Sequence, residues 1–379
     1  MPRFLHTADW QIGRQYGRFD SDDAVALAEA RFTCVERIAT LASEWQVDAV
    51  LVAGDVFDAQ TVSDRVIRRL FNAMQAYSGP WLLLPGNHDA ALVESVWSRA
   101  ERLQAVPDNV HVLLRPEALS FAAAGFVVLP APLTQRQTNR DLTEWFASAD
   151  TPDTLLRIGL AHGSVQGILA AEIDSPNPIA AGRAEQARLD YLALGDWHGL
   201  KQVDARTWYS GTPEQERFKN NGAGQVLNVE IAGPGAPAEV TAHNIGGYQW
   251  QQWRREIQLA SDIDRCLAEL DALPDTSVLD LTLCGTTDLV GLQRLQQALS
   301  VAAGRFRSLA CHWRELTLAP SADDLISLQA DGYLAEVVEQ LQQRQSDNSD
   351  DEAEVAREAL MILATLLRDQ APAGDNPCN

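Results

Sequence analysis

Six residues of metal-ligating type stand at the ends of apolar runs. Leu82-Leu83-Leu84 enters Pro85-Gly86-Asn87-His88-Asp89, so a segment that reads as a buried strand ends in a turn delivering Asn, His and Asp together. Four other stretches share the plan. Phe4-Leu5-His6-Thr7-Ala8 leads to Asp9, Val50-Leu51-Val52-Ala53 to Gly54-Asp55, Ile158-Gly159-Leu160-Ala161 to His162, and Leu192-Ala193-Leu194 to Gly195-Asp196-Trp197-His198. Ligands of open α/β sheets collect outside the carboxyl ends of the strands, so these five ends predict one shared site. Asp9, Asp55, Asn87, His162, Asp196 and His198 form a mixed oxygen and nitrogen donor set large enough for two divalent cations. A carboxylate such as Asp55 can bridge two ions about 3.5–4 Å apart, the spacing with which two-metal hydrolases clamp a phosphate and generate hydroxide near neutral pH. His88 stands beside a ligand, where an imidazole can protonate a leaving oxygen, and Asp89 is expected to hold its orientation. Each piece alone is weak, since Gly-Asp pairs are common in turns. The conjunction of five carries the argument.

The elements that must position these residues follow from periodicity. Ala24, Leu27, Ala28, Phe32, Val35 and Ile38 predict a helix over about 22–45, and Ser63 caps a second that runs to about Tyr77. A third helix is expected near Val93–Leu103, short strands over 110–129, a short helix over Asp141–Ser148, and a long loop over 164–188. Strand–helix alternation of this kind predicts an α/β sheet. Gly246-Gly247 marks a boundary, after which strand, helix, strand, helix and strand (248–258, 262–272, 277–284, 288–303, 307–318) read as a small α+β domain. A helix over 322–343, an acidic disordered linker over 345–352 and a last helix over 353–368 complete the chain. The expected domains are therefore 1–245, 246–320 and 321–379.

Composition narrows the function classes. The formal net charge of −22 argues against a surface that coats nucleic acid, because polyanion binding rests on Lys and Arg contacts to phosphate. It leaves room for a nuclease whose bound metals supply local positive charge. No apolar run approaches the roughly 18 residues of a membrane span, so no membrane partner is expected. The first strand begins almost at once, leaving no room for a secretion signal. The five cysteines are scattered without CxxC spacing, as expected of reduced thiols in a cytoplasmic protein.

The motifs resemble those of the calcineurin-like metallophosphoesterases, and within them the nuclease subunits of the SbcCD type. Leu5-His6-Thr7-Ala8-Asp9-Trp10 with Gly13-Arg14, Gly54-Asp55-Val56-Phe57-Asp58, Gly86-Asn87-His88-Asp89 and Tyr209-Ser210-Gly211-Thr212-Pro213-Glu214 carry the resemblance over about residues 1–230. The resemblance implies a sandwich of two β-sheets flanked by helices, with an α+β capping domain and a C-terminal helical tail. It further implies that Asp9, Asp55 and His198, with Gln11 nearby, hold one manganese, and that Asp55, Asn87, His162 and Asp196 hold a second, magnesium being the alternative ion. His88 would be the catalytic imidazole. DNA would be the substrate, a coiled-coil ATPase the partner, and a homodimer a further expectation. Two departures stand out: Asp9-Trp10-Gln11 replaces the family's Asp-x-His, and Gly195-Asp196-Trp197-His198 replaces Gly-His-x-His.

Both departures exchange nitrogen for oxygen donors, which favours manganese or magnesium over zinc. Asp9, Asp55 and Asp196 set about −3 against about +4 from two ions, and the small positive remainder suits a singly charged phosphodiester better than a doubly charged monoester. The expected activity is a DNA phosphodiesterase. A small-phosphoester hydrolase and a non-catalytic member of an ATPase complex are the alternatives. Arg14, Trp197, Lys201 and Arg217 are candidate substrate contacts, and Trp10 and Trp197 flank the site where a base could stack. Arg183, Arg188, Lys201, Arg206, Arg217 and Lys219 make the region of the last motif the least acidic of the chain, which suits backbone contacts or a salt-bridged surface equally. His6 is expected to be a buried hydrogen-bonded residue. The chain has no GxxxxGK[ST] phosphate loop, so ATP-driven action would need the partner.

Overall fold

The computed structural model describes residues 1–168, 176–319, 333–346 and most of 352–363. They form two compact units, Met1–Tyr248 and Gln249–Asn379.

The first unit is a two-sheet sandwich. One sheet runs, edge to edge, through Ala238–Asn244, Gln225–Ile231, Arg3–Thr7, Ala49–Val52, Trp81–Leu83 and Val110–Val112. The other runs through Lys201–Gln202, Thr207–Tyr209, Tyr191–Gly195, Leu156–His162, Phe126–Ala131 and Leu119–Phe121. Arg3–Thr7, Ala49–Val52 and Trp81–Leu83 run parallel in the first sheet, as do Tyr191–Gly195, Leu156–His162 and Phe126–Ala131 in the second, and their registers level the carboxyl ends: Thr7 lies opposite Val52, Val52 opposite Leu83, and Gly195 opposite His162.

Alternation sorts each strand's side chains between two cores. Phe4, Leu51, Leu82, Phe126, Ile158, Leu160, Tyr191 and Leu227 fill the space between the sheets. Leu5, Val50, Val52, Trp81 and Leu83 face the other way, onto Val35, Ile38, Ile67, Leu70 and Phe71 of helices Ser21–Glu44 and Asp64–Ala73. Strands apolar on both faces read as continuous hydrophobic runs, which is the mark of a covered parallel sheet. Ser63 caps its helix by accepting a hydrogen bond from Val66 N. The stretch 164–188 differs from the loop expected of it. Ser164–Val165 pairs with Pro178–Ile179 and Arg183–Gln186 makes one helical turn, with residues 169–175 outside the described set. Val165, Ile179 and Ala184 join an apolar cluster with Phe146, Leu192 and Tyr209, so packing gives order to a segment whose Gly and Pro content suggested none.

The second unit is built on three parallel strands, Gln249–Ile257, Ser277–Thr287 and Ser308–Leu318, joined by helices Ala260–Asp271 and Leu289–Arg305. Tyr333–Ser346 and the described residues of 352–363 are helical and add Val338, Ala356 and Leu360 to the buried set, Val338 and Leu360 within the same core as Leu281. The expected helix over 322–343 is seen only from Tyr333 and reaches Ser346. Gln345 is therefore helical and not part of a linker: its amide bonds the backbone N and O of Leu318 at 3.1 Å each. The rest of the acidic linker, and 364–368 of the last helix, lie outside the described residues. No described helix is long and apolar enough to cross a membrane.

Because Leu360 is 1 % exposed in that core, truncating the chain before residue 352 removes core and not merely a tail. Leu360→Ala is expected to cost the second unit about 2–5 kcal/mol in urea unfolding. Val355→Ala, at a position 65 % exposed, should cost less than about 0.5 kcal/mol.

Candidate metal centre

The five predicted strand ends meet at one rim of the first unit. Oxygens of Asp9 and Asp55 and a ring nitrogen of His162 all lie within 4.8 Å of one another, and the three residues are buried. His162 Nε2 is 2.8 Å from the Asn87 side-chain amide, 3.6 Å from Asp55 Oδ1 and 3.7 Å from Asp196 Oδ1. Asp196 N donates to Asp9 Oδ1 at 3.1 Å, and His88 N donates to Asp55 Oδ1 at 2.9 Å. Gln11 Nε2 donates to Asp55 Oδ2 at 2.9 Å, while Gln11 Oε1 is buried without a hydrogen-bond partner.

The backbone is bent to achieve this. Asp9 (φ 53°), Gln11 (φ 50°), Asp55 (φ 52°) and Asp196 (φ 96°) all adopt the left-handed region. Such strain is retained where the surrounding structure enforces it, and it clusters at functional sites. Two glycines permit the close approach. A methyl at Gly86 would overlap the Asp55 carboxylate, and one at Gly195 would overlap the Ala53 carbonyl. Gly-Asp and Gly-Asn pairs at these strand ends are thus steric requirements of a crowded rim.

Charge explains what the crowding is for. Burial raises the Asp9 carboxyl to about 6 against the pull of His198 and His162, with Asp55 and Asp196 pushing it up further. Burial alone would lower His162, but Asp55, Asp9 and Asp196 outweigh it and push it up to about 9. His162 Nδ1 donates to the Ala53 carbonyl at 2.9 Å, so Nε2 carries whatever occupies the space among Asn87, Asp55 and Asp196. The three carboxylates favour positive charge at that position. Buried carboxylates, an imidazole nitrogen and an orphaned amide oxygen at Gln11 fit a divalent cation, since ligands of this kind are satisfied by metal where neighbouring side chains leave them unpaired.

The structure revises several individual expectations. His88 is half-buried, its Nδ1 lying 2.8 Å from the Asp58 carbonyl and its Nε2 3.9 Å from Asp55 Oδ2. It is the backbone of Asp58, not Asp89, that orients it. Asp89 is fully buried and accepts hydrogen bonds from Gly86 N and Phe57 N, so it shapes the turn from beneath. Adjacency in sequence misled here, because successive residues of a tight turn point apart. Trp10 is 1 % exposed and donates to Thr7 Oγ1, which removes it from base stacking. Arg14 is tied to Asp58 and Glu216 at 3.3 and 3.0 Å. Arg183 pairs with Asp141 and Arg206 with Asp190, so these two belong to a salt-bridged scaffold. Lys201 lies at the edge of the second sheet, and Trp197 and Arg217 flank the centre. His6 is buried, 2.9 Å from the Tyr191 hydroxyl.

Glu216 is the residue that sequence reasoning missed. It is 2 % exposed and accepts from His198 Nδ1 at 2.6 Å, Arg31 Nη2 and Arg14 Nε at 3.0 Å, and Arg217 Nε at 2.9 Å. Burial would raise its carboxyl; the His198 hydrogen bond and the charges of His198, Arg31 and Arg14 outweigh that and hold it well below the usual range. A carboxylate on one imidazole nitrogen fixes the tautomer and leaves the other nitrogen for a ligand role. Its only sequence signal is a second Glu two residues after the Gly211-Thr212-Pro213-Glu214 turn.

Two outcomes follow from this geometry. An ion binding at His162 displaces a proton held up to about 9, so apparent Mn²⁺ affinity should rise about tenfold per pH unit from 6.5 to 8.5. Titration calorimetry in buffers of different ionisation heat should count about one proton released. Replacing Glu216 with Gln should weaken Mn²⁺ binding by about 10–100-fold, read by paramagnetic resonance of the free ion.

Comparison with known proteins gives the chain's family. The family model for calcineurin-like phosphoesterase matches residues 2–221. The chain is 25 % identical over 271 residues to a subunit of the nuclease SbcCD from Bacillus subtilis, covering 62 % of this chain and 68 % of that one. It is 42 % identical over 118 residues to the subunit of the same name from Rhodobacter capsulatus, covering 29 % and 26 %. It is 27 % identical over 254 residues to the DNA double-strand break repair protein Mre11 of Aeropyrum pernix, covering 62 % and 59 %. The chain thus spans under two thirds of the latter two relatives. With a family match over more than half its length, the chain belongs to the calcineurin-like phosphoesterase family.

Proposed function

We propose that this protein is a metal-dependent phosphodiesterase that cleaves DNA through a pair of divalent ions, manganese in preference to magnesium. The observation that supports it best is the donor set centred on Asp55. Its Oδ2 accepts from Gln11 Nε2 at 2.9 Å while its Oδ1 accepts from His88 N and lies 3.6 Å from His162 Nε2, so the two oxygens face the two groups of candidate ligands and could be shared between two ions. Asp9, Gln11 and His198 are assigned to one ion, and Asn87, His162 and Asp196 to the other, with Asp55 shared.

When bound, the ions supply Lewis acidity toward the phosphate and lower the pKa of water. The protein's own groups do the rest. Glu216 and the Ala53 carbonyl fix the ring orientation of His198 and His162. His88, with Nδ1 facing the Asp58 carbonyl, presents Nε2 toward the centre, and in its protonated form donates that proton to the departing oxygen. The three carboxylates leave about one net positive charge against two ions, which matches a diester. The bacterial relatives are named as subunits of a nuclease and the archaeal one as a repair protein. We assign the chain a role in DNA repair or processing, and the family resemblance of its motifs implies a coiled-coil ATPase as partner. The surface we assign to that partner is the outer face of the last helix, where Val355 and Ile362, seven residues apart, are exposed.

With Mn²⁺ saturating, bis-nitrophenyl phosphate and single-stranded DNA should both be hydrolysed, the bis-ester faster than the mono-ester. Asn87→Ala should reduce the rate by at least about 10³-fold, and His88→Gln by about 10²–10⁴-fold, the usual range for a general acid. A faster mono-ester reaction would sink the diester assignment.

A further inference from the structure

A cavity of about 290 Å³ opens directly beside the centre, between Trp197 and the segment 215–221. Asp196 and His198, both assigned to metal, form one wall, so whatever enters is held against the reacting phosphate. The other walls carry groups with unused bonding capacity. Arg217 spends only its Nε on Glu216 and is 53 % exposed, leaving the outer edge of the guanidinium open. Lys219 makes no ion pair among the described residues and is exposed, and it is one of two lysines in the chain. Gln215 uses its Nε2 on the Arg217 and Lys219 carbonyls, which holds the segment in shape and leaves Oε1 free. Asn221 Oδ1 accepts from Ala223 N, and its Nδ2 remains.

We propose that this cavity is a subsite for the single unpaired nucleotide that flanks the scissile phosphate, with the base on Trp197 and the next phosphate on Arg217 and Lys219. The proposal rests on the phosphodiesterase reading for the position of that phosphate. The chemistry selects the class. An aromatic face, two cations and a pair of side-chain amides are what a nucleotide uses and what a simple phosphate or a peptide does not need together. Size decides between single and double strands. Ligand pockets run from about 300 Å³ upward, so this one is at the small end and takes one nucleoside but not a base pair. In a chain of net charge −22 whose Arg14, Arg183 and Arg206 are held in ion pairs, the open edge of Arg217 and the unpaired Lys219 suit an anion here.

The test is calorimetric, on the full chain with Mn²⁺ present, comparing deoxythymidine 5′-monophosphate with deoxyribose 5-phosphate. Both carry a phosphate for the centre, and only the first carries a base. The nucleotide should bind about tenfold more tightly, one stacked base. Trp197→Leu, which keeps apolar packing and removes the aromatic face, should shrink that ratio to under about twofold. Lys219→Gln should leave both of these ligands within about twofold and weaken deoxythymidine 3′,5′-bisphosphate, whose second phosphate reaches the cations, by about fivefold or more. Equal binding of the two ligands by the unaltered protein, or a ratio that survives Trp197→Leu, overturns the subsite. Binding is read without turnover, so the two readings fail separately. A protein with base-dependent binding that cleaves no diester keeps the subsite and loses the nuclease reading; one that cleaves DNA without base-dependent binding does the reverse.

Discussion

Two carboxylates, Asp9 and Asp55, are buried at one end of the sandwich with a third, Asp196, at their edge, and nothing in the apolar core beneath them can offset their charge. Like charges withdrawn from water repel strongly and lose their hydration, a combination that costs several kcal/mol per ion unless positive charge is brought in. The protein brings in two imidazoles, His162 and His198, each locked by a hydrogen bond on its far side. A divalent cation among Asp9, Asp55 and His162 would complete the balance. Much of the surrounding architecture serves to keep these groups from separating.

The sandwich does this by levelling strand ends. Parallel pairing puts all the carboxyl ends on one rim, and the two sheets bring two sets of ends face to face. Each strand then needs a sharp exit, supplied by left-handed residues at Asp9, Asp55 and Asp196 and by glycines where a side chain would strike a neighbouring ligand. A residue in that backbone region costs about 1–3 kcal/mol, and core burial on both faces of the strands offsets it. Stability made in the two apolar layers is thereby converted into geometry at the rim.

That division explains what the sequence revealed. Strand ends are local: an apolar run followed by Gly-Asp or Gly-Asn-His-Asp is visible without knowing what packs where. The pattern of the second unit is visible for the same reason, since strand and helix segments alternate over 249–318. What stayed hidden was support at a distance. Glu216 acts on His198, eighteen residues earlier, and on Arg31, 185 residues earlier, and no spacing rule links a loop glutamate to either. Asp58 contributes a backbone carbonyl, which carries no side-chain signature at all. Asp89 was misread because its neighbour is the interesting residue, although its own carboxylate turns inward to cap two backbone N–H groups.

The acidity of the chain is consistent with a polyanionic substrate once distance is considered. Screening at physiological ionic strength acts over about 8 Å, so acidic residues on remote surfaces contribute little at the rim. Local balance matters instead, and there the protein is sparing with its cations. Arg31 is consumed in neutralising Glu216 and Arg14 bridges Glu216 and Asp58, while the outer edge of Arg217 and Lys219 stay open among the described residues. A surface of that kind gives weak, non-wrapping attraction to nucleic acid, because affinity for the backbone scales with the number of phosphates neutralised. On the reading proposed above, selectivity then comes from the metal centre and its adjoining cavity and not from charge over the surface. The attraction that a long duplex requires would fall to a partner.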